Sequence, residues 1–237
     1  EIFAGAIQDY GRGLVIGDNT FGKGTVQSIA DLNRYLRNPE LNVGALKLTI
    51  EKYYRVTGES TQNKGVQPDI KFPTIFDPEK YGESSYDNAL EWDTIDSASF
   101  ERAGELSEFM PYLQYRHEKR KESNEEFAFF VDDIERAKVE RDNKVVSLNY
   151  EKRLAKQKKN DTLRLQRENI KRKMQGLEPL AELEDEQENE EDTSSEEEST
   201  DEPDVLLKEA ANILADLIAI KAKPELIAAF EKANKDI

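Results

Sequence analysis

The stretch ALKLTIEKYYRV, at positions 45–56, decides the fold class that the sequence predicts. Leu46, Leu48 and Ile50 alternate with polar side chains, and aromatic and β-branched residues follow them. Alternation with a period of two is typical of a β-strand with one face toward a core and the other toward water. The stretch therefore predicts a strand in a half-exposed sheet.

The neighbouring segments predict a helix, short strands and a glycine-rich loop. Residues 14–16 form an apolar run that predicts a buried strand, and residues 24–29 predict a second extended segment. A proline within residues 65–70 limits that segment to a sheet edge or the start of a strand. Residues 1–73 are therefore predicted to be the end of an α/β domain. Its opening helix, residues 1–10, places one set of apolar side chains on a single face: Ile2, Phe3, Ala6, Ile7 and Tyr10.

Beyond this part the sequence predicts a loop and then helices. Residues 74–92 contain proline and glycine and lack periodicity, so they are predicted to be a connecting loop. Residues 93–181 are predicted to form a helical C-terminal domain, in which a capping pattern at Ser123 precedes one helix and residues 150–175 form another. Residues 204–237 return to helical periodicity. The predicted fold class is an α/β part followed by a mainly α-helical domain.

Most of the net charge of −16 lies in one segment of the chain. Residues 182–202 hold 13 acidic and no basic residues, which leaves about −3 on the rest of the chain. This run has too few apolar residues to support a core, so residues 182–203 are predicted to be a flexible linker. The basic helix over residues 150–175 almost lacks the aromatic residues on which nucleic-acid bases stack. We therefore interpret it as a solvated face and expect no nucleic-acid partner.

Composition excludes several classes of site. The chain has no cysteine, which rules out disulfides, zinc thiolate sites and thiol nucleophiles within it. Its one histidine, His117, lies in a charged run that predicts a solvated side chain, and a single imidazole argues against a Ser-His-Asp triad or a multi-histidine metal site. No run of apolar residues is long enough to predict a membrane span. We expect neither a cofactor nor a metal.

The stretch GDNTFGKGTVQ, at positions 17–27, can be interpreted in two ways. Gly17 and the pair Gly22-Lys23 match the beginning of a phosphate-binding loop, G-x-x-x-x-G-K. That loop requires serine or threonine directly after the lysine, whereas this chain has Gly24, and the residues that follow favour an extended strand over a helix. A loop of this kind that binds nucleotide stays an alternative.

The second interpretation makes Lys23 a general base. A lysine buried beside apolar groups can hold a neutral amine, and Phe21 and Val26 are expected to supply such surroundings. If the chain is extended here, Gln27 faces the same side and its amide could orient the amine. An ordinary surface lysine in a glycine turn is the competing interpretation.

Several motifs carry a resemblance to a known family. They are EIFAGAIQDY (1–10), TFGKGTVQ (20–27), GVQPDI (65–70), DNALEWD (87–93) and VSLNY (146–150). In this order and spacing the sequence resembles the tail-specific, or C-terminal processing, proteases of Gram-negative bacteria, within the S41 family of serine peptidases. The resemblance covers most of the chain up to position 175.

This resemblance implies a catalytic arrangement. Lys23 matches the family's general base, and Gln27 matches the residue that positions it. The nucleophilic serine is expected in a Ser-Ala-Ser type segment immediately upstream of Glu1, and the substrate-capturing PDZ module is also expected upstream. The chain by itself is therefore expected to be inactive.

The resemblance further implies protein or peptide substrates with accessible, apolar, flexible C-termini, hydrolysed in the periplasm through an acyl-enzyme. It leaves open a peripheral association with the inner membrane and names no adaptor. A non-catalytic helical interaction module is the main alternative function, and the nucleotide binder is the weaker one.

Overall fold

The computed structural model describes residues 1–35, 42–174, 176–182 and 204–233. Their contacts form two compact units, Glu1–Ser123 together with Leu206–Ile237, and Asn124–Val205. This grouping differs from the sequence-based division at 73, 92, 181 and 203, and those domain boundaries stay a prediction. The acidic segment predicted to be a linker lies outside the described residues except for Glu182.

The described residues form seven α-helices and four β-strands. In chain order they are α1 (Ile2–Asp9), β1 (Ile16–Gly17), β2 (Thr25–Asp31), β3 (Ala45–Lys52), β4 (Ile70–Lys71), α2 (Pro78–Tyr81), α3 (Met110–Ser123), α4 (Glu125–Asp142), α5 (Tyr150–Met174), α6 (Val205–Ala222) and α7 (Glu225–Ala233). All four strands precede α2, and the elements that follow are helical, which confirms the predicted fold class. No described helix combines the length and the apolar character that crossing a lipid bilayer demands.

The parallel pair β1–β4 is shorter than the sequence predicts and begins later. Ile16 lies beside Ile70 and Gly17 beside Lys71. The preceding residue, Val15, donates its backbone N–H to the Asp69 carboxylate at 2.7 Å. Because that N–H bonds a side chain, the strand begins at Ile16.

The antiparallel ribbon β2–β3 confirms the alternating pattern as a strand, with two corrections. The predicted strand over 45–56 ends at Lys52, because Tyr54 and Arg55 pair with Ser60 and Glu59 across a turn at Gly58, where φ is +90°. The predicted burial of one face was wrong for the part of the chain that the structure describes: the alternating apolar side chains of β3 are 44–58% exposed.

The main core lies where α3 and α6 pack on β4. Its buried side chains are Ile70, Phe72, Leu106, Phe109, Leu113, Ile213 and Ile220. The helical periodicity of residues 204–237 identified an apolar face but not its partner. That face shares a core with the α/β part, and this explains why the first unit includes the C-terminal helices.

His117 is buried, so the prediction of a solvated side chain was wrong. It is 3% exposed, stacks on Phe72 with 5.4 Å between ring centroids, and its Nδ1 lies 2.9 Å from Glu209 Oε1. Arg120 Nε donates to the same carboxylate at 3.0 Å and also pairs with Asp216. Burial alone would raise the pKa of Glu209, but the hydrogen bonds from Arg120 and His117 outweigh it and lower that pKa below its ordinary value.

The second unit consists of α4 and α5. Its first helix corrects the predicted cap: Asn124, and not Ser123, accepts the free backbone N–H groups of Glu126 and Phe127, at 2.9 and 3.2 Å. The Ser123 hydroxyl instead donates to a carbonyl of the preceding turn. The two helices are joined by Arg167 of α5, which pairs with Asp132 of α4 at 2.5 Å.

Candidate active site

The glycine loop before β2 is anchored to the start of α1 by Glu1. The Glu1 carboxylate accepts the hydroxyl of Thr20 at 2.5 Å, the N–H of Gly22 at 2.7 Å and the N–H of Lys23 at 2.9 Å. Hydrogen bonds to an ionised acceptor are stronger than those between neutral groups. Glu1 therefore holds the backbone of Lys23 next to the N-terminus of α1, a role that sequence reasoning missed.

The two glycines around Lys23 are needed for different reasons. Gly22 has φ +92°, a conformation that other residues rarely adopt. Gly24 approaches the neighbouring chain so closely that a Cβ there would lie 2.6 Å from the backbone nitrogen of Gln62. Its N–H donates at 2.8 Å to the side-chain oxygen of Gln62, which is fully buried. The pattern G-K-G thus reflects a loop pressed against residues 60–65.

Lys23 itself faces the opposite way. Gly22 and Gly24 are buried, so the residue between them points away from that contact and its side chain is exposed. Its Nζ donates to Thr25 Oγ1 at 2.7 Å. The predicted apolar surroundings do not cover it among the described residues, since Phe21 and Val26 are 39% and 44% exposed.

Gln27 lies on β2 and does not bond Lys23 in this structure. Its Nε2 donates to Thr49 Oγ1 on β3 at 3.4 Å. The register of the β2–β3 ribbon shifts between Val26 and Gln27, an irregularity of the kind that re-aims side chains near active sites. The catalytic roles of Lys23 and Gln27 stay predictions.

Both residues nevertheless line one groove of about 580 Å³. One side is formed by Phe21, Lys23, Gln27 and Lys47, and the other by Glu83 and residues 86–89. The second side comes from the segment that the sequence predicted to be only a connecting loop. Its lack of periodicity concealed this position, and the one available signal was the family motif DNALEWD, which begins at position 87.

This second side is fastened to the glycine loop and to the strands. Glu83 donates its N–H to Phe21 O at 3.0 Å and accepts Gln62 Nε2 at 3.4 Å. Further along, Lys52 of β3 donates to the Asp93 carboxylate at 2.8 Å. That hydrogen bond lowers the pKa of Asp93 below its ordinary value. The groove is therefore bounded by two segments that are hydrogen-bonded to each other.

The structure also tests the interpretation of residues 17–27 as a phosphate-binding loop. A phosphate-binding loop leads into a helix whose N-terminus holds the phosphates, but here the loop leads into β2, which begins at Thr25. The loop therefore lacks the following helix that a phosphate-binding loop requires, and that interpretation is wrong.

Within the described ranges, no three side chains of the ligand types His, Cys, Asp or Glu are grouped so as to hold a metal ion.

Comparison with known proteins agrees with the motifs. Residues 1–72 match the model of peptidase family S41, and residues 76–219 match that of the C-terminal domain of tail specific protease. The tail-specific protease of Haemophilus influenzae is 40% identical over 229 residues, which are 95% of this chain and 32% of that protein. The carboxy-terminal-processing protease of Bartonella bacilliformis is 43% identical over 90 residues, which are 38% of this chain and 18% of that protein.

A plant relative matches over a shorter part. The chloroplastic carboxyl-terminal-processing peptidase 3 of Arabidopsis thaliana is 38% identical over 74 residues, or 31% of this chain and 13% of that protein. The chain thus spans a third or less of the length of these relatives. Across both of its parts, the chain belongs to the tail-specific proteases of peptidase family S41.

Proposed function

We propose that this chain is the C-terminal part of a serine endopeptidase in which Lys23 is the general base, and that the chain alone is inactive. The observation that carries this assignment is the contact of the Glu1 carboxylate with the backbone of Lys23. It places the lysine loop beside the first turn of α1. A nucleophilic serine just upstream of Glu1 would sit next to that loop, where the free N–H groups of the helix N-terminus favour developing negative charge.

The proposed chemistry is amide hydrolysis in two steps. The neutral amine of Lys23 takes the proton of the serine hydroxyl as the oxygen attacks the scissile carbonyl, and it returns a proton to the leaving amine. Water then hydrolyses the acyl-enzyme. General-base action requires the uncharged amine, so substrate and the remainder of the longer protein must cover Lys23, which is exposed in this chain.

Gln27 is proposed to orient the amine in the substrate complex. It lines the same groove as Lys23 but bonds Thr49 here, so its side chain must turn toward the lysine when the site is assembled. The substrates proposed are proteins with accessible apolar C-terminal tails. The names of the relatives support processing at the C-terminus, whereas the apolar character, the periplasmic location and any association with the inner membrane stay predictions.

The test uses the full-length protein and a peptide with an apolar C-terminus. Lys23→Ala is expected to lower the rate at least about 10³-fold, within the range for loss of a general base, and the upstream serine→Ala variant should be equally inactive. Gln27→Ala should lower the rate less. Lys71→Ala is the matched control, because Lys71 is an exposed lysine on β4 outside the groove and its loss removes one positive charge without removing the base. Full activity in Lys23→Ala would refute the assigned base, and full activity without the serine would favour a non-catalytic role for this site.

A further inference from the structure

Two aromatic rings form a contact pair in the wall of the groove that Lys23 lines. The rings of Phe21 and Tyr86 lie 6.4 Å apart between centroids and are tilted by 55°. They are 39% and 60% exposed, although aromatic rings are usually buried or paired with a partner that covers them. Phe21 belongs to the glycine loop, two residues before Lys23, whereas Tyr86 belongs to the part that matches the C-terminal domain of tail specific protease.

The backbone that carries these rings is fixed by one short segment. Glu83 donates its N–H to the carbonyl of Phe21 at 3.0 Å, and its own carbonyl accepts the N–H of Tyr86 at 3.2 Å. Tyr86 in turn accepts the N–H of Ala89 at 3.1 Å. Gly82 packs so close to Phe21 that a Cβ would lie 3.1 Å from its carbonyl oxygen. The ring pair is thus preorganised, which lowers the entropy lost when a ligand orders it.

The rest of the groove is mostly polar. Lys23, Gln27 and Lys47 line it on one side, and Asp87 and Asn88 on the other. Apolar surface is therefore concentrated at the ring pair, directly beside the proposed base. Binding sites of this size commonly combine one apolar contact area with a few polar groups that fix orientation.

We infer that Phe21 and Tyr86 form a side-chain subsite that selects a large apolar residue flanking the scissile amide of a protein substrate. This inference rests on the proposed function, because it takes the groove beside Lys23 to be the place of hydrolysis. The exposed surfaces of the Tyr86 and Phe21 rings together cover the substrate's apolar side chain, while the polar lining contacts the peptide backbone. The C-terminal domain, through Tyr86, thereby contributes to cleavage-site preference.

The experiment measures kcat/KM of the full-length protein on a peptide series. The residues on both sides of the cleaved bond are changed one at a time among Ala, Leu, Phe and Asp. The wild-type protein should favour Leu or Phe over Ala about 10-fold at one of the two positions, the range that an apolar pocket provides. Tyr86→Ala should reduce this preference to about twofold, mainly through a lower kcat/KM for the Leu and Phe peptides.

Two further variants separate the subsite from a structural role. Tyr86→Phe keeps the ring and should keep the preference. Tyr81→Ala is the matched control, since Tyr81 is 51% exposed in the same segment but packs near Phe76, at 6.1 Å between ring centroids. It should leave the preference unchanged.

The outcomes distinguish the two levels of inference. If the wild-type protein does not cleave the peptides, or if the Lys23→Ala variant cleaves them as fast as the wild type, the proposed function fails and the subsite fails with it. If cleavage depends on Lys23 but Tyr86→Ala lowers kcat/KM equally for all peptides, or changes none, only the subsite is overturned.

Discussion

Removal of the Glu1 side chain should release the loop that presents Lys23. Glu1→Ala deletes the one carboxylate that accepts hydrogen bonds from Thr20, Gly22 and Lys23, at 2.5, 2.7 and 2.9 Å. A hydrogen bond to a charged group contributes about 1.5–3 kcal/mol when buried. Glu1 is half-buried and water replaces part of each bond, so we take about 1 kcal/mol apiece, or about 3 kcal/mol for opening the loop.

Amide hydrogen exchange measures this opening directly. A loss of about 3 kcal/mol corresponds to a fall of about 10²-fold in the protection of the Gly22 and Lys23 amides. The amide of Gly24 should lose less protection because its acceptor is Gln62. In the full-length protein kcat/KM should also fall, since the open loop does not hold the base in place.

Two variants serve as controls for this measurement. Glu1→Gln keeps one acceptor oxygen of the same reach and should lose only part of the protection. Glu51→Gln, at an exposed position on β3, should have no effect on the loop. Unchanged exchange at Gly22 and Lys23 in Glu1→Ala would show that the carboxylate does not hold the loop beside α1.

Three other substitutions test the framework. Gly24→Ala should lower the free energy of unfolding by about 1–3 kcal/mol, because its Cβ would meet the backbone of Gln62 at 2.6 Å. Asp9→Ala should lower it by about 3 kcal/mol, because Asp9 is 3% exposed and its loss leaves the Arg55 guanidinium, bonded to it through Nε at 2.9 Å, without a carboxylate. Glu209→Gln should make the free energy of unfolding depend less on pH in the acid range. Because the pKa of Glu209 is lowered in the fold, its ionised form stabilises the fold above about pH 5. This contribution disappears as the pH falls through the lowered pKa. Urea unfolding, followed at several pH values for the last variant, measures all three.

Each of these measurements has a matched control. Gly5→Ala adds a Cβ whose contacts begin at 3.6 Å and should not destabilise the chain. Asp93→Ala breaks an exposed ion pair with Lys52 and should cost less than Asp9→Ala. Glu118→Gln removes an exposed carboxylate from α3 and should leave the acid dependence as in the wild type. Equal effects in any variant and its control would contradict the contact assigned to that variant.

Local patterns in the sequence were sufficient to predict most elements, and the resemblance of several motifs to known proteins indicated the family. The period of two over residues 45–56 predicted β3, and the helical periodicities predicted α1, α5 and α6, because the faces of these elements repeat within a few residues. The glycine-lysine motif located the candidate site for the same reason: its residues are contiguous in the chain. The boundaries that failed, at Val15 and Lys52, depended on hydrogen bonds to residues outside each segment.

Only the tertiary structure decided which distant residues meet. Glu1 contacts the Lys23 loop across 22 positions, and His117 reaches Glu209 across 92, so that a histidine in a charged run is buried. Tyr86 reaches the groove because Glu83 bonds the carbonyl of Phe21. Periodicity shows which side of an element is apolar, but the partner of that side depends on the path of the whole chain. The sequence alone therefore indicated Lys23 as a candidate base, while folding determined what holds it and what lies opposite it.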